Sequence, residues 1–210
     1  MTSSAIEKLL SISSSPLGLG VGLRSPTQER SSLENELEQM LRLKDGFYAF
    51  ESALHVFPCA SSSIEIGLDT WNSPSGWRQE YAGLANDALF FAEDIFGEQF
   101  CIKENEIHTF DPETGKFERM CSNLEQWARN ILEEFEFLTG HPIAHEWQAV
   151  HGRIPAGKRL VPRVPFVLGG EYKPSNLVLM DSERGMRIRG NLARQLIDLP
   201  DGTAVRFSIE

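Results

Sequence analysis

Apolar residues recur at helical spacing in the segment 31–44. Leu33, Leu37, Met40 and Leu41 fall on one face of such a helix. Ser31 and Glu34 stand three residues apart at its start, the spacing of a capping box. Lys44 and Gly46 follow the last apolar position, as is typical of a helix end. The sequence therefore predicts an amphipathic helix over residues 31–44.

A second helical pattern runs from residue 122 to residue 140. Its apolar residues recur in steps of three and four and form one stripe: Leu124, Trp127, Ala128, Ile131, Leu132, Phe135 and Leu138. Ser122 and Glu125 suggest a capping box, Gly140 marks the end, and Pro142 prevents continuation. We predict one continuous core helix that lies on a sheet, followed by a short amphipathic helix over 143–151.

Between these helices, short apolar runs alternate with turn signals. Strands are predicted at residues 88–92, 98–105, 106–111 and 116–120. The intervening EDIFG (93–97) and PETG (112–115) segments combine charges with glycine, as tight turns do. This pattern predicts an antiparallel meander, and with the helices it indicates an α+β fold.

The remaining segments carry weaker patterns. A short helix near residues 3–11 is followed by a Ser-, Gly- and Pro-rich stretch, so residues 1–28 are interpreted as a flexible leader. Residues 47–58 suit a short helix or a strand that ends at Pro58. Strands are also predicted at 63–68, 165–170, 176–181 and 203–209, and a helix within 183–199. We interpret residues 29–210 as a single domain with a core (29–140) and a C-terminal extension (141–210).

The charge of the chain is uneven. Its 210 residues include 30 acidic and 20 basic side chains, and the formal net charge is −10. Residues 1–151 carry a net −14, whereas residues 152–210 carry a net +4. An acidic balance disfavours nucleic acid as the partner, because phosphate binding needs a basic face. It suits a basic protein partner instead.

Cysteine content and hydropathy indicate the cellular compartment in which the protein resides. Cys59, Cys101 and Cys121 are too few and too scattered for a disulfide framework, and the last two stand in apolar surroundings that suit core thiols. No apolar run approaches the ~18 residues of a membrane span. Glu7 and Lys8 interrupt the N-terminal apolar patch, which makes it a poor secretory signal. We therefore predict a cytoplasmic protein without membrane association.

Three histidines near the second helix are the strongest metal-ligand candidates. His141, His145 and His151 lie close to Glu146, and helical i,i+4 histidines can converge on one ion. However, Pro142 disrupts the helix start and no HExxH motif is present. We interpret them as ordinary surface or helix-end histidines and predict neither a metal nor a cofactor.

Motifs for phosphate binding and covalent catalysis are incomplete. Residues 152–158 match most of GxxxxGK[ST], but Arg159 replaces the Ser or Thr and Pro155 removes a loop amide. No strand precedes the loop, and no GxSxG motif is present. The sequence therefore predicts no catalytic residues and a protein that is not an enzyme.

Acidic and aromatic residues supply candidates for a binding surface. Five carboxylates flank two predicted turns: Glu93, Asp94, Glu98, Glu104 and Glu106. Trp71 and Trp77 lie in a polar stretch, where they can anchor an interface or cover the edge of the core. We take these seven residues as candidate partner contacts.

The segment LFFAEDIFGEQF (89–100), followed by Phe110-Asp111 and the helix that carries Trp127, resembles the SMI1/KNR4 (SUKH) superfamily. The resemblance covers about residues 32–140, and the helix at 31–44 suits it. It implies an α+β fold with a mostly antiparallel central sheet and helices packed on it. It also implies a protein-binding role, because many bacterial members resemble immunity proteins that neutralise toxins, often nucleases.

The sequence thus favours a non-enzymatic immunity protein that binds a basic toxin domain. A regulatory or scaffold protein that binds a host partner is the main alternative, and the position of the gene beside a toxin gene would distinguish the two. A metal-dependent enzyme that uses His141, His145 and His151 is a third hypothesis. Homo-oligomerisation stays open, because the basic extension can pack on the acidic core or pair within an oligomer.

Overall fold

A computed structural model of the chain describes residues 3–20, 31–197 and 199. It confirms an α+β architecture, with an antiparallel sheet and helices packed against it. The predicted final strand (203–209) and residues 21–28 of the predicted leader lie outside the described residues.

Six strands form the main sheet, and each pairs antiparallel with its neighbours in chain order. They are β1 (Phe47–Ala49), β2 (Leu54–Val56), β3 (Leu89–Glu93), β4 (Gln99–Lys103), β5 (Glu106–Phe110) and β6 (Phe117–Cys121). The four strands β3–β6 are the predicted meander, which is confirmed. Because hairpins alternate in direction, the β3–β4 and β5–β6 turns lie at the same end of the sheet, and the β4–β5 turn lies at the other.

Seven helices and a second small sheet complete the described structure. The helices are α1 (Ala5–Ile12), α2 (Ser32–Leu43), α3 (Leu68–Trp71), α4 (Leu124–Glu133), α5 (Phe135–Thr139), α6 (His141–His151) and α7 (Ser182–Leu196). Short 3-10 helices span Trp77–Tyr81, Phe166–Leu168 and Pro174–Asn176. Strands β7 (Lys158–Pro162) and β8 (Leu177–Asp181) pair antiparallel in a sheet of their own. The extension therefore adds a second sheet and does not lengthen the first.

Helices α1, α2 and α4 cover one face of the main sheet. The apolar stripe of α4 places Trp127 edge-on against Phe91 and Phe100, with ring centroids 5.1 and 5.9 Å apart. Leu9 of α1 and Leu37 of α2 are fully buried in the same core. This face is an apolar helix layer of the kind that the sequence pattern predicts.

The opposite face is covered by the 3-10 helix Trp77–Tyr81 and by α7. Trp77 packs edge-on to Phe90, and Met186 and Ala193 of α7 belong to the same core. A side chain at Gly190 would place its Cβ 2.8 Å from the Tyr81 ring, so α7 approaches this closely only because residue 190 is glycine. A smaller apolar cluster joins β7, β8 and α6, with Trp147 and Leu160 in it.

Helix boundaries differ from the prediction at the second helical segment. Asn123 caps α4 by accepting a hydrogen bond from the Gln126 amide at 2.8 Å, so the predicted capping box at Ser122 is wrong by one residue. The Glu125 carboxylate instead accepts from the Ala5 amide at the start of α1, at 2.6 Å. Glu134 leaves helical geometry and separates α4 from α5, so the helix is not continuous.

The described part of the leader is packed, contrary to the prediction of a flexible segment. Leu9 is fully buried, and the backbone amides of Ser14 and Leu17 donate to the carbonyls of Tyr48 and Asp45. Residues 3–20 therefore belong to the folded domain.

Two strand predictions fail in the loops. Residues 63–68 and 165–170 form no strand because neither segment finds a pairing partner, and Ile64 is 72% exposed. By contrast, the sequence does not predict β7. Two of its five residues are basic and one is proline, a composition that is unusual for a strand whose centre is buried; these residues are Lys158, Arg159 and Pro162. The strand prediction at 176–181 is confirmed by β8, and the segment 47–58 forms the β1–β2 hairpin.

Candidate functional site

The two candidate tryptophans lie in the core. Trp71 and Trp77 are each 1% exposed. The indole N–H of Trp71 donates to Gln99 at 2.9 Å, and the Trp77 ring packs against Tyr81 and Phe90. The prediction of an exposed aromatic anchor is therefore wrong here, and the alternative that these rings cover the core is correct.

Glu93 and Asp94 are also buried, at 0% and 4% exposure. Glu93 ends β3 and faces the Arg159 guanidinium, with 3.0 Å between the Nε and Oε1 atoms. Asp94 accepts the backbone amides of Phe96 and Glu98, both at 2.8 Å, and so closes the β3–β4 turn. Their prediction as solvated turn residues is wrong, because both carboxylates have internal partners.

Glu104 and Glu106 lie at the opposite end of the sheet from Glu98. The side chain of Glu104 is 80% exposed on the β4–β5 turn, and Glu106 pairs with Arg119 across β5 and β6. Asn105 of the same turn accepts from the Leu33 amide at the start of α2. The seven candidate contacts therefore do not form one surface.

Two of the seven, Asp94 and Glu98, belong to an acidic group at the end of the sheet where the β3–β4 and β5–β6 turns meet. We call this group the acidic turn cluster; its members are Asp94, Glu98, Asp111, Glu113 and Glu118. Glu118 is exposed on the edge strand β6, opposite Thr109, which hydrogen-bonds Glu98. Asp111, Glu113 and Glu118 were not identified as candidates, although the predicted meander already places both turns at one end.

Burial, together with mutual repulsion, raises the pKa values of two carboxylates in the acidic turn cluster. Burial, then the charge of Asp111 and that of Glu118, raise the pKa of Glu98 to about 7. Burial and the neighbouring Glu98 likewise raise the pKa of Asp94. A group of carboxylates that compete for protons in this way gains free energy when a cation arrives.

Glu113 leaves part of its hydrogen-bonding capacity unused. Its Oε2 atom accepts from the Val167 amide at 2.8 Å, whereas Oε1 is buried without a hydrogen-bond partner. Arg189 lies beneath the cluster, donates to the carbonyls of Gly185 and Phe96, and partly offsets its negative potential. The cluster therefore retains both unsatisfied charge and an unpaired acceptor.

An aromatic pair borders the acidic turn cluster. Tyr172 stacks on Phe166 with centroids 3.7 Å apart, and both rings contact Phe96. Tyr172 is nevertheless 59% exposed. Burial and then the nearby carboxylates, Glu113 foremost, raise its pKa to about 12. Tyr172 is therefore an exposed aromatic side chain beside the cluster, unlike Trp71 and Trp77.

A row of polar side chains crosses the buried face of the sheet. Tyr48, His55, Glu93 and Gln99 occupy paired positions on four successive strands, β1–β4. His55 Nδ1 lies 3.1 Å from Glu93 Oε1, and because a carboxylate only accepts, this nitrogen is the donor. We call these four residues, with Arg159 above them, the buried polar row.

Burial sets the protonation states of the buried polar row. It lowers the pKa of His55 from 6.5 to about 4, so the imidazole is neutral at pH 7. Burial alone would raise the pKa of Glu93, but Arg159 and the hydrogen bond from His55 outweigh it and hold that pKa below 4.5. Within the row, Glu93 and Arg159 therefore form a buried ion pair, and His55 beside them is neutral.

The histidines separate into two groups. His141 and His145 lie on one face of α6 near Glu51 of the β1–β2 turn, whereas the His151 ring packs on Trp147. Among the described residues, the His, Cys, Asp and Glu side chains that could together hold a metal are Glu51, His141 and His145. Glu146 and His151, which the sequence placed with them, are not part of this group.

Two remaining sequence features have structural roles. The Gly157 amide of the GxxxxGK-like loop donates to the Tyr48 hydroxyl at 3.1 Å, so it is engaged within the fold. Cys59, Cys101 and Cys121 are buried free thiols, as expected for the last two. Within the described ranges, every helix is too short or too polar to cross a bilayer.

Among known proteins, the chain is similar to a solved structure. No family model matches the chain, and no curated protein matches it. A solved structure, that of Atu4351 from Agrobacterium tumefaciens, is similar with a TM-score of 0.52 and 14% sequence identity. The match covers 89% of this chain and 94% of Atu4351. At this identity the likeness concerns the fold alone.

Proposed function

We propose that this protein is a non-enzymatic binding module of the immunity-protein type, which neutralises a basic bacterial toxin, such as a nuclease, in the cytoplasm. The observation that carries the proposal is the acidic turn cluster with Tyr172 beside it. A nuclease needs a basic surface to bind its substrate. An inhibitor with a complementary acidic surface associates faster and prefers the correct partner.

The protonation of Glu98 strengthens this proposal. Its pKa of about 7 means that a large share of this carboxyl is protonated at neutral pH. A lysine or arginine of the partner would stabilise the ionised form, so binding would release a proton. Affinity is therefore expected to rise as the pH increases through 7.

Tyr172 gives the surface an apolar anchor. Interfaces derive most of their affinity from a few aromatic and arginine contacts, which charged residues surround. Tyr172 is held rigidly by Phe166, so it loses little conformational freedom when a partner covers it. In this proposal the carboxylates steer the toxin and Tyr172 holds it.

The test is co-expression and binding with any toxin domain that is encoded beside the gene. The parent protein should protect cells from that toxin and bind it one-to-one, with an association rate that falls as salt rises. Glu118→Lys, which reverses the exposed charge of the cluster, should reduce the association rate at least about tenfold. Tyr172→Ala should act mainly on the dissociation rate.

The matched control is Glu104→Lys, which removes an exposed carboxylate at the opposite end of the same sheet. It should leave the affinity nearly unchanged. Equal losses in the control and in the cluster variant would show that net charge alone matters and would contradict the proposed contact. Failure to bind or to protect against any neighbouring toxin would instead favour a regulatory or scaffold protein.

A further inference from the structure

Glu51, His141 and His145 bring three metal-binding atoms together at the protein surface. His141 and His145 are one helical turn apart on α6 and share a face. The Oε2 atom of Glu51 lies 2.8 Å from His145 Nδ1 and 3.8 Å from His141 Nε2. One ligand atom from each of the three residues lies within 4.8 Å of the others.

Neighbouring side chains hold these groups in place. The Gln148 amide donates to the Glu51 backbone carbonyl at 3.0 Å and ties the β1–β2 turn to α6. The His141 ring packs edge-on to Phe135, which in turn stacks on Phe50, the residue before Glu51. Preorganised ligands lose little freedom when an ion binds, which favours affinity.

The ligand types select a class of ion. Two imidazoles and one carboxylate suit Zn²⁺, which binds nitrogen and oxygen donors tetrahedrally and often leaves one position open. Calcium and magnesium prefer oxygen donors throughout. Glu51 and His145 also line an open groove of about 610 Å³, together with Gln148, Arg153 and Ile154.

We propose that Glu51, His141 and His145 bind one divalent transition-metal ion of the zinc type at the edge of this groove. The fourth coordination position would be occupied by water or by a donor group within the groove. The inference goes beyond the proposed function, because it requires neither a toxin nor the acidic turn cluster.

The test is a zinc titration of the full-length protein after treatment with a chelator. Calorimetry and competition with a chromogenic chelator should show one Zn²⁺ per chain, and the melting temperature should rise as zinc is added. Glu51→Gln, His141→Gln and His145→Gln should each weaken binding at least about tenfold, since even groups that only support metal ligands have effects of this size. His151→Gln and Glu146→Gln, on the same helix, are the matched controls and should bind as the parent does.

A second measurement does not depend on the folding of any variant. In the parent protein, the ring NMR signals of His141 and His145 should shift or broaden with stoichiometric zinc, and those of His151 should not. No stoichiometric uptake by the parent would overturn the proposal. Unchanged binding in Glu51→Gln, or equal weakening in His151→Gln, would overturn it as well.

Discussion

Arg159 is the residue on which the buried polar row depends. Its side chain is fully buried, it faces Glu93, and its guanidinium carbon lies 5.5 Å from the centre of the Tyr48 ring. A buried ion pair adds little net stability over apolar residues of the same shape. Removing one partner, however, leaves the other charge buried and uncompensated. The fold thus requires Arg159 because Glu93 is buried and needs a cation beside it.

We expect Arg159→Met to lower the free energy of unfolding by about 3–5 kcal/mol, because it leaves Glu93 buried without a cation. Combining it with Glu93→Gln should restore part of that loss. Urea denaturation of the parent, both single variants and the double variant measures the coupling. Lys158→Met, which breaks the more exposed pair with Asp181, is the control and should cost less than ~1 kcal/mol. If the losses of stability in the two single variants simply added up in the double variant, the two side chains would not be coupled, and this result would contradict the role of the pair.

Glu98 is expected to weaken the fold as the pH rises. Its pKa is about 7 in the folded protein against an ordinary value of 4.5. The folded state therefore holds a proton that the unfolded state has released, and stability is lost as the pH rises from 4.5 to 7. Glu98→Gln should be more stable than the parent at pH 8, by about 3 kcal/mol, and equal to it near pH 4.

Urea denaturation at both pH values measures this difference, with Glu104→Gln as the exposed control. A gain in Glu98→Gln of the same size at pH 4 and pH 8 would show that packing, and not ionisation, causes it.

The sequence could not reveal the burial of Glu93 or Trp71, for identifiable reasons. The partner of Glu93 is an arginine in a proline-rich segment much later in the chain, and no local pattern links the two. Trp71 lies in a polar stretch that folds onto the sheet through the four-residue helix α3, which is too short to show a period. The turn that carries Glu98 follows from the spacing of the strands, but the partial burial of Glu98 leaves no local signal in the sequence.

At the scale of elements, carboxylates from one helix bind the N-termini of others. Glu125 of α4 accepts from the Ala5 and Ile6 amides of α1, and Glu36 of α2 accepts from the Leu124 amide of α4. The first amides of a helix have no partners within it and carry partial positive charge, so a carboxylate there is favourable. The helix layer is thus linked by charges as well as by apolar packing.

We expect Glu125→Ala to release the start of α1 and to cost about 1 kcal/mol. Hydrogen exchange should show faster exchange of the α1 amides and little change in the strands of the main sheet. Glu133→Ala, at the exposed end of α4, is the matched control. Uniform acceleration across the whole chain, or none in α1, would contradict this link.

Periodicity identified the elements whose neighbours are close in sequence. The strands β3–β6 and the helices α2, α4 and α7 all follow from residues 31–44, 88–140 and 183–199. Strand β7 was missed because its partner β8 lies beyond two 3-10 helices, and because its buried Arg159 is typical of exposed positions. The cap of α4 was misplaced because Ser122 and Asn123 both satisfy the pattern, and only the contact of Glu125 with α1 selects between them.

For the whole molecule, the acidic and basic parts of the chain form one structure. The extension places Arg159 against Glu93 and Arg189 beneath the acidic turn cluster, and Arg187 lies near Glu80. The basic extension therefore offsets part of the negative charge inside the fold. Of the two alternatives for the basic extension, packing on the acidic core and pairing within an oligomer, the described residues support packing on the core.

We expect the two sheets to unfold together, because α7 contributes Met186 and Ala193 to the main core. Native-state hydrogen exchange should give the slowest amides of β4 and of β8 the same free energy of opening. Arg159→Met should lower both values equally. A distinctly lower opening free energy for β7 and β8 in the parent would identify the extension as a separate unit.

The position of Arg159 has a consequence for synthesis on the ribosome. All six strands of the main sheet leave the exit tunnel before β7 does, so a nascent chain holds Glu93 without its cation. A slip of one residue in β3 would turn Glu93 towards Trp127, and the correct register gains its ionic partner only when β7 arrives. The strands of the main sheet are therefore expected to reach their final pairing late in translation. The time between the synthesis of β6 and that of β7 is the interval in which a chaperone can bind the incomplete sheet.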